Sequence, residues 1–235
     1  MAGFVGPEIP GVTDGLLFAF DAALSYQSGS TWSSQISPSL YTTTLYNTPT
    51  FTEGKDVALT FDGADEYAQM DSTTYDRNKF SVEVWGKWPV AHPTWVGTLF
   101  CKWAIGTSNG NEFTLGAQGA TGPSPIQFLV TNGSTNVAAT SSFNYTADTW
   151  YQMVGVFDSG SHKLYVNGEE EYDGTTSFTE VKTNNTKFTL ASIGTNVLSY
   201  TCNCEIASIR MYSSKALSST EVLQNYNALK SRFNL

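Results

Sequence analysis

The 235 residues carry 21 acidic against 12 basic side chains, a formal charge of -9, so a phosphate backbone is repelled and nucleic acid is not an expected partner. Hydrophobic residues make up 40% and aromatic residues 14%, enough for a sizeable core, whereas charged residues reach only 14%, below the ~25% of an average globular chain. The sequence has no run of eighteen apolar residues, and residues 1–10 have neither a basic nor an apolar stretch, so neither membrane insertion nor a secretory signal is expected.

Residues 1–14, MAGFVGPEIPGVTD, hold two prolines and three glycines without a hydrophobic period, which predicts an extended N-terminal arm. Phe4, Val5, Ile9 and Val12 on this arm are candidates for docking on a neighbouring subunit, because Pro7 and Pro10 lower the entropy lost on ordering. Residues 15–21, GLLFAFD, read as a first strand. Residues 24–50, rich in Ser and Thr and containing Pro38 and Pro49, read as a long loop with short strands. Strands follow at 57–61 and 67–70, joined by the turn Asp62-Gly63-Ala64-Asp65-Glu66.

In residues 80–88 the alternation of Phe80, Val82, Val84 and Gly86 against Ser81, Glu83, Trp85 and Lys87 predicts a half-buried strand. Residues 90–96 are a Pro-broken loop carrying Trp95, and 98–103, 112–117 and 126–131 are further strand candidates. The stretch TWYQMVGVFDSGSHKLYVNGEEEY, residues 149–172, reads as an antiparallel meander: a strand at 150–157, a turn at 158–161, a strand at 163–166, and a return through Asn167-Gly168, the strongest two-residue hairpin signal. Residues 187–193 and 204–212 supply the last strands. Roughly a dozen short strands with turn signals between them mean an all-β sandwich or jelly roll.

One helix closes the chain, over 219–233. Ser218-x-x-Glu221 is a capping box, Leu217 and Val222 hold the two positions of a hydrophobic staple, and Val222, Tyr226, Leu229 and Phe233 recur at helical spacing. No internal repeat or linker divides residues 15–235, so a single domain follows the arm.

The chemistry-bearing residues are sparse. Cys101, Cys202 and Cys204 are an odd count without a C-x-x-C pair, which reads as buried thiols in preference to a disulfide scaffold or a thiolate metal site. His92 and His162 have no carboxylate partner in sequence, and no nucleophile motif surrounds any serine. Glu169-Glu170-Glu171 reads as solvated hairpin charge. Loop rings at Trp32, Tyr41, Tyr46, Trp95, Tyr145 and Tyr200, beside many Asn and Thr, could offer stacking faces and hydroxyl partners to a sugar. Trp32, Trp95, Tyr145 and Tyr200 are the foremost ligand candidates.

Taken in order, GLLFAFDAALSY, LTFDGADEY, FSVEVWGKW, LFCKW, WYQMVGVFD, KLYVNGE and IASIRMYSSKALSSTEVLQNYNAL resemble laminin G-like domains of the concanavalin A-like lectin and glucanase superfamily, over residues 15 to about 230. The resemblance implies a two-sheet antiparallel jelly-roll sandwich, with ligands on a concave face or at the loop rim. The ending, Arg-x-Tyr-x-x-x-Ala-Leu-Ser with its closing helix, is similar to single-domain versions in tailed-phage structural proteins.

That resemblance implies a non-enzymatic virion component, a capsid decoration or fibre-type protein made in the host cytoplasm, with other virion proteins or copies of itself as partners and weak adhesion to cell-surface glycans. A dedicated carbohydrate-binding receptor module is the alternative, and a glycoside hydrolase the third reading. The glucan-cleaving members carry two glutamates flanking an aspartate on one strand, as retaining hydrolysis requires. Here that strand offers only Glu83, so no catalytic residue is expected. Laminin G-like domains often bind calcium at a rim, where Asp62 and Asp65 are the best oxygen donors; otherwise Asp62 is an Asx-turn residue ahead of Gly63, and no cofactor is expected.

Overall fold

The computed structural model describes residues 9–24, 27–89, 97–104, 110–118, 123–194 and 200–235. Among these, the strands are β1 Leu16–Asp21, β2 Gln27–Ser28, β3 Thr31–Ser33, β4 Thr42–Tyr46, β5 Thr50–Phe51, β6 Leu59–Asp62, β7 Tyr67–Met70, β8 Lys79–Lys87 and β9 Gly97–Lys102. They continue as β10 Phe113–Ala117, β11 Pro125–Thr131, β12 Asn136–Asn144, β13 Tyr151–Asp158, β14 Ser161–Val166, β15 Glu169–Thr175, β16 Phe188–Leu190 and β17 Asn203–Ser213. Helix α1, Ser219–Leu229, runs into a 3-10 turn at Lys230–Phe233.

Two antiparallel sheets face each other. The first runs β15-β14-β13-β8-β17-β6-β5, with β1 also paired to β17, and the second runs β12-β11-β10-β9-β16-β7-β4-β3-β2. Strand β17 reaches across the first sheet: its first half pairs with β6, its second half with β1, and β8 lies along its other edge. This is the all-β sandwich with one terminal helix that the strand spacing predicts.

Between the sheets, Phe18, Phe80, Phe100, Phe113, Phe128 and Phe188 are all at most 2% exposed and meet mostly at inclined or edge-on angles. Each such ring contributes roughly 1.5–3 kcal/mol by leaving water, with a further increment for the ring-to-ring geometry.

The central meander forms as its turn chemistry demands. Ser159 and Gly160 (φ 50° and 102°) and Asn167 and Gly168 (φ 52° and 84°) all occupy the left-handed region, the geometry of two-residue turns whose twist matches the flanking strands. Strand β12 was not legible in the sequence: it pairs only with β11 and is largely exposed or half-buried, so it needs little of the alternation that marks a strand.

Strand β8 departs from the half-buried expectation, because its residues Phe80 to Gly86 are all buried. Phe80, Val82 and Val84 enter the core, and Trp85, on the other face, lies under the C-terminal segment, stacked on Tyr226 and on Phe233 at 4.6 Å. The capping box at Ser218 and Glu221 is formed, and Leu217 and Val222 share one apolar cluster, as a staple requires.

The predicted arm is partly laid on the chain's own fold. Phe4 and Val5 lie outside the described residues, and Ile9 is half-buried. Val12 packs in one cluster with Tyr165, Tyr212, Leu217 and Val222. Its amide donates to Asn225 Oδ1 at 2.7 Å, and its carbonyl accepts from the Tyr212 hydroxyl at 3.1 Å. Gly11, at φ 94°, comes so close that a Cβ there would sit 2.5 Å from Asn225 Oδ1. Val12 is therefore spent inside the chain and does not present a free side chain to a neighbour.

Candidate functional site

At one end of the sandwich, a buried charge cluster fixes two loops against each other. Lys102, the last residue of β9, and Glu112, just before β10, are both fully buried and form an ion pair. Lys102 Nζ also donates to the carbonyl of Asn184 at 3.0 Å and to its Oδ1 at 3.2 Å. Glu112 accepts from the Tyr75 hydroxyl, from Arg77 Nη2 at 3.4 Å and from the Asn184 amide at 3.2 Å. Arg77 lies over the Tyr75 ring at 4.7 Å.

Burial drives the Lys102 pKa down while Glu112 opposes the shift, and burial together with the Glu112 carboxylate holds the Tyr75 phenol well above its ordinary range. Paired and hydrogen-bonded on every side, such a cluster adds little net stability, but it fixes the geometry of whatever it joins. What it joins are the segments after β7 and before β16.

Those segments form the walls of an open groove of about 450 Å³ lined by Ser72, Thr73, Thr74, Arg77, Asn185 and Lys187, among others. Lys187 Nζ pairs with Asp71 Oδ1 at 2.9 Å across it, and this contact raises the Lys187 pKa. A second open groove of about 290 Å³, including Asn132 and Lys182, shares Thr183 with the first. Hydroxyls, side-chain amides and one balanced ion pair suit a polyhydroxylated ligand whose every oxygen needs a donor or an acceptor. Of the carboxylates here, Asp71 is exposed and paired to Lys187, Glu112 is buried under its four partners, and Glu180 is exposed in the second groove, so the first groove lacks two free acids facing a substrate.

The described residues expected from sequence lie elsewhere. Trp32 is fully buried, packed on Phe20 and Phe51, and Tyr145 is buried 4.6 Å from the Trp88 ring. Both are core residues and neither shows a face to a ligand, a correction that follows from their position between apolar neighbours. Tyr200 is half-buried, and Trp95 and His92 lie outside the described residues. Asp62 Oδ1 accepts the amides of Ala64 at 2.7 Å and Asp65 at 3.4 Å, which is the Asx-turn arrangement. Among the described residues no group of three His, Cys, Asp or Glu is placed to hold a metal ion.

Glu83 is fully buried and faces α1, its two oxygens taken by Gln152 Nε2 at 3.0 Å and Asn225 Nδ2 at 2.6 Å. His162 lies on β14 and not in a turn; it is fully buried, with Nε2 3.0 Å from the Phe128 carbonyl, and burial lowers its pKa to about 4. The three thiols are free and buried, and burial raises that of Cys101 to about 12, too high for a reactive thiolate.

In the sequence the groove residues read only as connections between strands. Their one signal was two polar runs, Asp-Ser-Thr-Thr at 71–74 and Thr-Asn-Asn-Thr at 183–186, flanking two strands that pair with each other.

A family model of the concanavalin A-like lectin/glucanases superfamily matches residues 62–223. No curated protein matches the chain. Among solved structures, domain 4 of AbnA, a GH43 extracellular arabinanase from Geobacillus stearothermophilus in complex with arabinotriose, is similar with a TM-score of 0.67 at 20% identity, covering 90% of this chain and 98% of that one. The binding domain of botulinum neurotoxin serotype G is similar with a TM-score of 0.69 at 14% identity, covering 92% of this chain and 51% of that one. Trypanosoma rangeli sialidase in complex with sialic acid has a TM-score of 0.63 at 12% identity, covering 98% of this chain and 36% of that one. The chain thus spans the whole arabinanase domain but about half of the toxin domain and a third of the sialidase, and at these identities the likeness is one of fold.

Proposed function

Because the chain belongs to the concanavalin A-like lectin/glucanases superfamily, we propose that it is a non-catalytic glycan-binding module that takes an oligosaccharide at the polar groove between the segments at 71–77 and 183–187. The observation that carries this reading is the groove's construction: hydroxyl and amide side chains at the surface, held in place by the buried Lys102–Glu112 cluster beneath. A site pre-organised on a rigid support loses less entropy when a polar ligand orders on it. The arabinanase domain was solved with arabinotriose, which makes arabino-oligosaccharides a sensible first ligand class.

The similarity of the chain's ending to tailed-phage structural proteins supports a further part of the proposal, that this module is carried on a virion and meets glycans there, beside other virion proteins or further copies of itself. A glycan array on the purified chain tests the first part. Asn185→Ala, which removes an exposed groove amide, should weaken every positive signal, and an array blank for the wild-type chain defeats the reading. Mass spectrometry of purified particles tests the second, and absence of the chain from them removes the virion setting without touching the groove.

A further inference from the structure

Weak polar grooves gain from a flat apolar surface nearby, and one adjoins this groove. Tyr46 on β4 and Tyr67 on β7 are direct cross-strand partners. Their rings are stacked, with centroids 4.6 Å apart and planes within 8°, and both residues are half-buried. Their chain neighbours Leu45 and Ala68 enter the core, so the two tyrosines stand on the outer face of the second sheet.

The same face leads to the groove. By the two-residue period of a strand, Tyr67, Gln69 and Asp71 line up on it, about 13 Å from end to end at the usual rise. Gln69 Nε2 reaches Thr189 Oγ1 at 3.4 Å on the neighbouring strand. Lys187, two residues before Thr189, pairs with Asp71 in the groove wall, and its charge acts on both phenols. Gln69 and Thr189 are themselves buried, so this face offers two surface points, the ring pair at one end and the Asp71–Lys187 ion pair at the other.

We propose that the Tyr46–Tyr67 pair is a second subsite of the glycan site, where one sugar unit stacks by its apolar C–H face while the following units span the stretch to the groove at Asp71 and Lys187. This rests on the groove being the glycan site. Sugar rings carry C–H groups on one face and hydroxyls around the edge, so a flat ring beside hydroxyl and amide partners meets both needs. The two subsites together recognise oligosaccharides long enough to reach both, and the ring pair contributes nothing to sugars confined to the groove.

The test uses an array of arabino- and gluco-oligosaccharides of one to six units with the full chain and its variants Tyr67→Ala, Tyr46→Thr, Tyr67→Phe and Asn185→Ala, each checked for an unchanged melting temperature. The wild-type chain should bind longer oligosaccharides more tightly than mono- and disaccharides. Tyr67→Ala and Tyr46→Thr should lose about three- to tenfold in affinity for the longer ones only, the span of one aromatic contact. Tyr67→Phe should keep the length dependence, whereas Asn185→Ala should weaken all lengths. An unchanged length dependence in both tyrosine truncations, with Asn185→Ala still weakening binding, overturns the stacking subsite and leaves the groove standing. If the tyrosine truncations unfold, loss of the length dependence in Tyr67→Phe, where the ring persists, overturns it. A wild-type chain that binds no oligosaccharide of any length removes groove and subsite together.

Discussion

Asn225 of α1 donates its side-chain amide to the Glu83 carboxylate of β8 at 2.6 Å, joining residues 142 positions apart in sequence. The same side chain donates to the Tyr212 hydroxyl at 2.9 Å and accepts the Val12 amide at 2.7 Å. One residue thus closes the helix, the central strand and the incoming chain onto one another.

Asn225→Ala removes three hydrogen bonds at once and leaves a buried carboxylate, phenol and amide short of partners. Loss of one partner from a buried charged network costs about 3 kcal/mol. Urea unfolding of the variant should show a fall of that size in unfolding free energy; a fall below about 1 kcal/mol would mean that water replaces Asn225 without penalty.

His162 predicts an acid-side loss of stability. In the fold its pKa lies at about 4, against an ordinary 6.5, so the neutral ring is the folded form. The unfolded chain takes up the proton first as pH falls, and the stability this group contributes is present above about 6.5 and lost towards 4, roughly 3 kcal/mol in all. Thermal melts of wild type and His162→Leu across this window should diverge, the wild type losing more on acidification. Parallel curves would show that the ring takes up its proton as readily in the fold as in the unfolded chain.

Glycoside hydrolysis is not expected. Glu83 is fully buried, walled in by Gln152, Asn225 and α1, so it faces no open cleft in which a second acid could join it. Incubation with common β-glucans and arabinans should release no reducing sugar, with wild type and Glu83→Gln alike. Turnover in the wild type that vanishes in Glu83→Gln would reverse the non-catalytic assignment.

For calcium the expectation is equally direct. Asp62 spends Oδ1 on its own turn, and Glu66 accepts the Asp62 amide at 2.8 Å, so this segment closes on itself without an ion. EDTA should leave the melting temperature within about a degree, since an ion held at 100 times its dissociation constant would contribute ~2.7 kcal/mol. Asp62→Ala should cost about 1 kcal/mol as a lost turn cap, whether or not calcium is present. A several-degree drop with EDTA, restored by calcium, would place an ion there.

The fold was legible because its signals are local. Asn167-Gly168, the Ser218 box and the alternation around Phe80, Val82 and Val84 each depend on residues close in sequence, and each appears where expected. What lay hidden depends on distant partners. Trp32 reads like a loop ring until Phe20 and Phe51 close over it, and Glu83 reads as solvent-facing until Asn225 arrives from the last helix. The groove is the extreme case: Arg77, Glu112 and Asn184 come from three separate connections, and nothing in any one of them announces the other two.

The packing of Val12 against α1 also sets how the protein can be mounted. Chain entry and terminal helix share the outer surface of the first sheet, whereas Tyr46 and Tyr67 stand on the outer surface of the second. Whatever is joined downstream of Phe233 approaches from the helix side. The ring-bearing surface is then turned outward by default, like a palm facing away from the wrist, and needs no hinge or long tether to stay accessible.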